Sequence, residues 1–154
     1  MPKINIADAP ESKGSRYPSP FREPCMNREW RRLGDAAGLT HFGVNLLVLH
    51  PGTWSSQRHW HSHEDEFVYV LEGEVVLVTE AGEEPLVAGD CAGFKAGVAD
   101  GHCLQNRGTR DARLLVVGSR NDSDRGSYPD IDLACDPGRY SGRAVFTRKD
   151  GTPY

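Results

Sequence analysis

The chain has 154 residues, of which 38% are hydrophobic and 26% are charged, and its formal net charge is −4. This length allows one domain with one buried core and is too short for two comfortable ones. The acidic balance provides no basic field for phosphate backbones, which argues against nucleic acid as a partner. No apolar run is long enough to cross a bilayer, and the first residues lack a signal-peptide pattern. We therefore expect a cytoplasmic protein that binds neither membrane nor nucleic acid.

The four cysteines support the same compartment. Cys25, Cys91, Cys103 and Cys135 are widely scattered and include no Cys-x-x-Cys pair. Free thiols are therefore predicted, as in most proteins of a reducing compartment. The spacing also argues against a zinc site built from cysteines.

Residues 1–27 are rich in proline, serine and charge, which predicts an extended N-terminal arm without a strand ladder or a helix. From residue 28 to about residue 120, short β-forming runs alternate with glycine-containing turns, and no apolar period of 3.6 residues reaches helix length. This pattern is typical of an all-β sandwich or barrel. The predicted strands cover residues 30–33, 39–50, 54–61, 66–71, 75–79, 85–87, 91–94, 102–106 and 112–117.

Residues 121–154 are polar and rich in turn formers, but they include apolar clusters at 128–133 and 145–147. Such clusters would be wasted in a disordered tail. We therefore expect an irregular C-terminal extension that packs back on the barrel, so that the chain consists of an arm, a barrel (28–120) and this extension.

A cluster of histidines and acids carries the main chemical signal. On a strand, His59 and His61 point to the same face while Trp60 points to the other. Glu66 opens the next apolar run, and His102 opens a later strand after a glycine-rich turn. A solvated acidic loop is the alternative, but it would not usually contain Trp60 or lead directly into a strand. The ligand types therefore predict a metal site of His59, His61, Glu66 and His102.

The spacing of these residues resembles that of the cupins, over about residues 52–106. The first family motif is matched by Gly52, His59, His61, Glu66 and Gly73, and the second by Gly89, Gly97, His102 and Asn106. Lys95 replaces the usual proline, two extra residues precede His102, and one extra residue follows Gly52. None of these departures removes a ligand. The resemblance implies a double-stranded β-helix (a jelly roll) and a six-coordinate metal with open positions for water or substrate.

The other histidines are weaker candidates. His63 also forms a His-x-His pair with His61, but only two residues separate it from Glu66, so we interpret it as a loop or rim residue. His41 and His50 have no partner at ligand spacing.

Three histidines and one glutamate suit one divalent first-row metal per subunit, such as iron, manganese, zinc or nickel. The preferred hypothesis is an enzyme of the isomerase or lyase type that acts on a small oxygen-rich molecule. The tail resembles that of small bacterial cupins, some of which carry sugar-phosphate isomerase labels. A metal-dependent dioxygenase, a non-catalytic small-ligand binding or sensing module, and a barrel with a purely structural metal are the alternatives.

The catalytic residues and the oligomeric state are predicted less directly. His63, Glu64 and Lys95 are the candidates for a general base. Trp60, Phe67 and Tyr69 lie on the strand faces opposite the ligands, and another subunit covering that outer face would make a homodimer.

Overall fold

The structure is a computed structural model that describes residues 3–154, and almost all of its regular structure is β. The only α-helix among these residues, α1, is a single turn (Leu33–Ala36), and Ile6–Asp8 and Glu23–Cys25 form short 3-10 helices. The strands are β1 (Glu11–Lys13), β2 (Arg28–Arg32), β3 (Phe42–Leu49), β4 (Trp60–His61), β5 (Glu66–Glu72), β6 (Glu74–Thr79), β7 (Gly82–Val87), β8 (Cys91–Phe94), β9 (Cys103–Gln105), β10 (Ala112–Ser119), β11 (Gly126–Tyr128), β12 (Leu133–Cys135) and β13 (Phe146–Thr147). Within residues 3–154, none of the helices is long and apolar enough to span a membrane.

The strands form three antiparallel sheets. The largest has the order β1-β2-β3-β10-β5-β8, a second has the order β7-β6-β9, and the third has the order β13-β12-β11-β4. Neighbouring strands in these sheets are mostly far apart in sequence, as β3 and β10 are. The all-β class predicted from the short strands is confirmed, and the arrangement is a double-stranded β-helix.

The main core lies between the first two sheets. Leu47 and Leu49 of β3, together with Val68 and Val70 of β5, are completely buried against Leu104 and other apolar side chains of the second sheet. Burial of each such side chain contributes about 1.5–3 kcal/mol to folding. This core keeps β4, β5 and β9 at a fixed separation, and these strands carry or adjoin the predicted metal ligands.

The N-terminal segment is more regular than its composition suggests. The prediction that it forms no strand ladder is wrong for β1, which pairs with β2. Lys13 Nζ lies 2.6 Å from Glu29 Oε1, and Arg31 Nη2 lies 2.6 Å from Glu11 Oε2. These cross-strand ion pairs hold a three-residue strand that apolar burial alone would not stabilise.

The segment from Trp54 to His61 departs from its prediction as one continuous strand. Only Trp60 and His61 form a regular strand, while Trp54 and His59 make single bridges to Gln105 and His102. Between them the Ser55 hydroxyl accepts a hydrogen bond from the Leu104 amide at 3.0 Å, in the place of a ladder bond.

The C-terminal residues lie against the barrel. Strand β11 pairs with β4, so that Ser127 is opposite Trp60 and Gly126 is opposite His61. A second apolar cluster combines Tyr128, Leu133 and Phe146 from these residues with Tyr17 and Phe21 from the N-terminal segment. Both ends of the chain therefore meet beside the strand that carries His59 and His61.

Candidate metal centre

The four predicted ligands lie at or next to the ends of three strands, β4, β5 and β9. His59 and His102 form a bridge in which each backbone amide donates to the other residue's carbonyl, at 3.1 and 2.8 Å. His61 is the second and last residue of β4, and Glu66 is the first residue of β5. The side chains of His61 and His102 are almost completely buried, and those of His59 and Glu66 are 12% and 20% exposed.

His59, His61 and Glu66 converge on one point, and His102 contacts Glu66 beside them. His59 Nε2 and His61 Nε2 are 3.1 Å apart, and Glu66 Oε2 lies 3.7 Å from the second and 3.8 Å from the first. His102 Nε2 lies 3.3 Å from Glu66 Oε2. His59, His61 and Glu66 each offer a ligand atom within 4.8 Å of the others, so the structure brings together a group that could hold a metal ion.

The outer nitrogens of two imidazoles fix their tautomers. His59 Nδ1 lies 3.0 Å from the Gln57 carbonyl, and His61 Nδ1 lies 2.6 Å from Asp124 Oδ2. A carbonyl or a carboxylate can only accept, so both Nδ1 atoms donate, and a ring that carries only this proton presents a lone pair at Nε2. Two lone pairs cannot hydrogen bond to each other across 3.1 Å. A divalent ion with Zn–N distances of about 2.0–2.1 Å needs nitrogens roughly 3 Å apart, and the pair therefore fits one.

The protonation of the group also suits a cation. Burial, with the neighbouring charges of His102 and His61, lowers the pKa of His59 to about 3, which keeps its ring neutral. Burial alone would raise the pKa of Glu66, but the hydrogen bond from His102 and the charges of the imidazoles lower it to about 2. A neutral imidazole and an ionised carboxylate are the forms in which His59 and Glu66 bind a metal.

The sequence did not predict two residues that contact the ligands, Asp124 and Phe94. Asp124 orients His61 through the hydrogen bond at Nδ1, and its other oxygen accepts from the His63 amide at 2.8 Å. Phe94 stacks on His102 with ring centroids 3.5 Å apart. Asp124 lies in the polar tail, 63 residues after His61, and no spacing connects the two. His102 Nδ1 is buried and has no hydrogen-bond partner within residues 3–154.

The candidates for a general base occupy different surroundings. His63 is exposed, and its Nδ1 lies 2.8 Å from the Ser62 hydroxyl, outside the convergent group. Lys95 is also exposed and lines a smaller cavity of about 210 Å³, which borders His61 and His102 from the side away from the main cavity's lining. Glu64 is 5% exposed and lines the main cavity, with its carboxylate 3.6 Å from Arg139 and 4.0 Å from His61 Nδ1.

The other two histidines take no part in the centre. His41 is exposed, and His50 is paired with Asp111 and Glu29 at the other end of β3.

The convergent group opens into a cavity of about 560 Å³. Tyr17 and Tyr128 form part of its wall, and the Tyr128 ring stacks near His59 with centroids 5.8 Å apart. Burial raises the pKa of Tyr17 to about 12 and raises that of Tyr128 well above its ordinary value. Both phenols therefore stay protonated at neutral pH and can donate hydrogen bonds into the cavity.

The comparisons with known proteins agree with this geometry. Residues 45–118 match the family described as "Cupin domain". A crystal structure of a sugar phosphate isomerase from a cupin superfamily of Silicibacter pomeroyi is 46% identical, with a TM-score of 0.93, over 99% of this chain and 96% of that one. The chain belongs to the cupin superfamily. The resemblance predicted from the two motifs is thereby confirmed.

Further relatives of this cupin differ in how much they show. A candidate sugar phosphate isomerase from Acidithiobacillus ferrooxidans is 31% identical, with a TM-score of 0.78, over 93% of this chain and 89% of that one. A protein from Thermotoga maritima, predicted to be an oxalate decarboxylase, is 23% identical with a TM-score of 0.62, over 77% of this chain and 99% of that one, and shows the fold alone. None of the curated proteins matches this chain.

Proposed function

We propose that this cupin is a metal-dependent enzyme of the isomerase or lyase type that acts on a small oxygen-rich molecule, as a sugar phosphate isomerase does. The centre would contain one divalent ion per subunit held by His59, His61, Glu66 and His102. The observation that carries the proposal is that the Nε2 atoms of His59 and His61, which line the cavity, lie 3.1 Å apart. The relative of 46% identity, which is named a sugar phosphate isomerase, supports the reaction type.

A bound divalent ion would supply positive charge that polarises a substrate carbonyl or hydroxyl oxygen. The protein's own groups would orient the substrate and manage its protons. Tyr128, protonated and beside His59, can donate a hydrogen bond to a substrate oxygen. Glu64 is a buried carboxylate that lines the same cavity, with Oε2 4.0 Å from His61 Nδ1. We assign Glu64 as the preferred general base over His63 and Lys95, which are both exposed.

The proposal includes the cytoplasm as the location. All four cysteines are free, as their spacing predicted, and Cys25, Cys103 and Cys135 are buried as reduced thiols. Chains with several unpaired cysteines belong to reducing compartments.

The first test is elemental analysis of the full chain purified without a chelator or an affinity metal. We expect close to one iron, manganese, zinc or nickel ion per subunit. The double variant His59→Ala/His102→Ala should lose it, because two of four ligands are gone. His41→Ala, which removes an exposed imidazole far from the centre, should keep it. No metal in the native chain, even after reconstitution with each ion, would overturn the proposal.

Turnover then decides the reaction type. The metal-loaded chain should isomerise or cleave members of a panel of phosphorylated and free sugars without consuming oxygen. Oxygen uptake with an iron-loaded chain would instead identify a metal-dependent dioxygenase. Tight binding of a panel member without any conversion would identify a non-catalytic binding or sensing cupin.

A further inference from the structure

The cavity wall formed by β2 and the N-terminal segment is positively charged, although the chain as a whole is negatively charged. The chain carries a net charge of −4, yet Arg16, Arg28 and Arg32 all line the main cavity. Within residues 3–154, none of these three arginines pairs with a carboxylate. The same three side chains also line an adjoining cavity of about 640 Å³. They therefore form a shared border between the two cavities.

Strand geometry explains why two of these arginines face inward. Arg28 and Arg32 lie four residues apart on β2 and therefore share a face. Their partners on β3 are Leu49 and Asn45, whose side chains point into the barrel. Trp30 lies between them on the same face, packed against the core. Arg28 is half-buried, whereas Arg32 and Arg16 are exposed, so all three guanidinium groups border the cavity without being enclosed in the core.

The three guanidinium groups keep free donors. Arg28 donates from Nε to the Gly14 carbonyl at 2.9 Å and from Nη1 to the Ser55 carbonyl, which fixes its position. Arg32 has one contact, from Nη2 to the Ser12 hydroxyl at 3.2 Å. Arg16 makes no side-chain hydrogen bond among residues 3–154. Each guanidinium has five N–H donors, so most of them remain available to a ligand.

The other arginines of the cavity are already neutralised. Arg120 is paired with Asp35, and Arg139 lies 3.6 Å from Glu64. The uncompensated positive charge is thus confined to one wall, on the side of β2. A substrate could therefore have one end at the metal ligands and the other end at the arginines of this wall.

We infer that Arg16, Arg28 and Arg32 form a subsite for a phosphate group of the substrate. A phosphate monoester carries nearly two negative charges and three terminal oxygens at neutral pH, which matches three separate guanidinium groups. A monocarboxylate offers one charge and two oxygens, and would leave two of the three arginines without a counter-charge. This inference rests on the proposed function, since it gives that substrate a second point of attachment, away from the metal.

Calorimetric titration of inorganic phosphate into the full chain tests the subsite without any need for turnover. We expect the double variant Arg16→Gln/Arg32→Gln to weaken phosphate binding about tenfold or more, because each lost guanidinium removes a charge-assisted hydrogen bond. The matched control is Arg22→Gln, an exposed arginine paired only with its neighbour Glu23 and absent from both cavities. It should bind phosphate as the native chain does. Arg28 is left intact because its carbonyl contacts hold the fold.

The metal-site variant His59→Ala/His102→Ala separates this inference from the proposed function. It should retain phosphate binding at the arginines although it no longer holds metal. An unchanged affinity in Arg16→Gln/Arg32→Gln, or loss of phosphate binding together with the metal ligands, would overturn the subsite. A hexose phosphate should compete with inorganic phosphate for the wall, whereas equal competition by acetate would contradict the preference for a phosphate. Metal content and isomerase activity are measured independently, so either idea can fail alone.

Discussion

Asp124 Oδ2 lies 2.6 Å from Nδ1 of His61, although the two residues are 63 positions apart in the chain. The carboxylate is 2% exposed and cannot be replaced there by water without a loss of order. It fixes the tautomer of His61, so that Nε2 points at the other ligands without a proton. A residue of the C-terminal tail therefore orients a predicted metal ligand of the barrel.

Asp124→Asn should weaken metal binding by about 10–100-fold, the usual effect of losing such an outer partner. Asparagine has one acceptor oxygen, so it cannot accept from both His61 Nδ1 and the His63 amide as Asp124 does, and the orientation of the His61 ring is weakened. Competition with a chromogenic chelator measures the affinity. Asp136→Asn, which removes a tail carboxylate paired with Arg125 rather than with a histidine, serves as the control. Equal affinities for the Asp124 variant and the native chain would show that the hydrogen bond does not prepare His61.

Gly73→Ala should destabilise the fold by about 2–4 kcal/mol, or roughly 4–16 °C in melting temperature. Gly73 has φ of +80°, and a Cβ there would lie 2.6 Å from the Asp111 carbonyl oxygen. Gly52 has nearly the same φ, +79°, but open space around its Cβ position. Gly52→Ala thus isolates the backbone effect and should cost only about half as much. Thermal melts of the two variants compare them directly, and equal losses would mean that the contact with Asp111 relaxes freely.

His50 should make stability depend on pH. Its hydrogen bonds with Asp111 and Glu29 raise its pKa above the ordinary 6.5, although burial opposes the shift. The stabilisation is therefore fully present below the unfolded pKa and is lost as the pH rises through the higher folded value. The native chain should exceed His50→Gln in stability at pH 5.5, by about 1 kcal/mol or less for such partly exposed pairs, and should match it near pH 9. Urea unfolding at both pH values checks this, with His41→Gln as the control. A difference independent of pH would show that the ion pairs do not titrate.

A homodimer remains our prediction for the assembly. Phe67, Tyr69 and Leu71 project from the outer face of β5 and are 42%, 38% and 47% exposed. The register places Leu115 and Val117 of β10 beside the first two, which extends the apolar surface across the sheet. We expect light scattering at micromolar concentration to give twice the chain mass of 17.0 kDa. Phe67→Glu should give monomers, whereas Val145→Glu, at an exposed position in the tail, should not. A native chain that is only monomeric would contradict the prediction.

Strand parity and motif spacing were enough to predict the barrel, and the structure brings three of the four predicted ligands, His59, His61 and Glu66, into one group that could hold a metal. Each of those signals is local, because alternation along a strand decides which side chains share a face. Asp124 and the arginine wall could not be predicted in this way. Asp124 reaches His61 only through the pairing of β11 with β4, and Arg28 becomes a wall residue only because β2 pairs with β3. Nothing in the polar runs around these residues indicates which distant strand they join.

The alternating sequence pattern also failed to predict strands correctly where a side chain takes the place of a backbone hydrogen bond between strands. Trp54 to His61 reads as one strand, but the Ser55 hydroxyl takes the Leu104 amide and interrupts the pairing. Conversely, β1 escaped prediction because its stability comes from ion pairs with β2, such as that of Lys13 with Glu29. Both differences depend on contacts between residues that are distant in sequence.

The meeting of both chain ends at the cavity has a consequence for synthesis. Tyr17 is synthesised before the barrel, whereas Asp124, Tyr128 and Arg139 are synthesised after it. A nascent or prematurely terminated chain can therefore carry the histidines and the glutamate of the barrel without the walls that enclose them. Such a chain would expose a loosely oriented metal group to bulk water, where it could exchange ions but could not hold a substrate. The pocket thus closes only after residues as late in the chain as Arg139 have been synthesised.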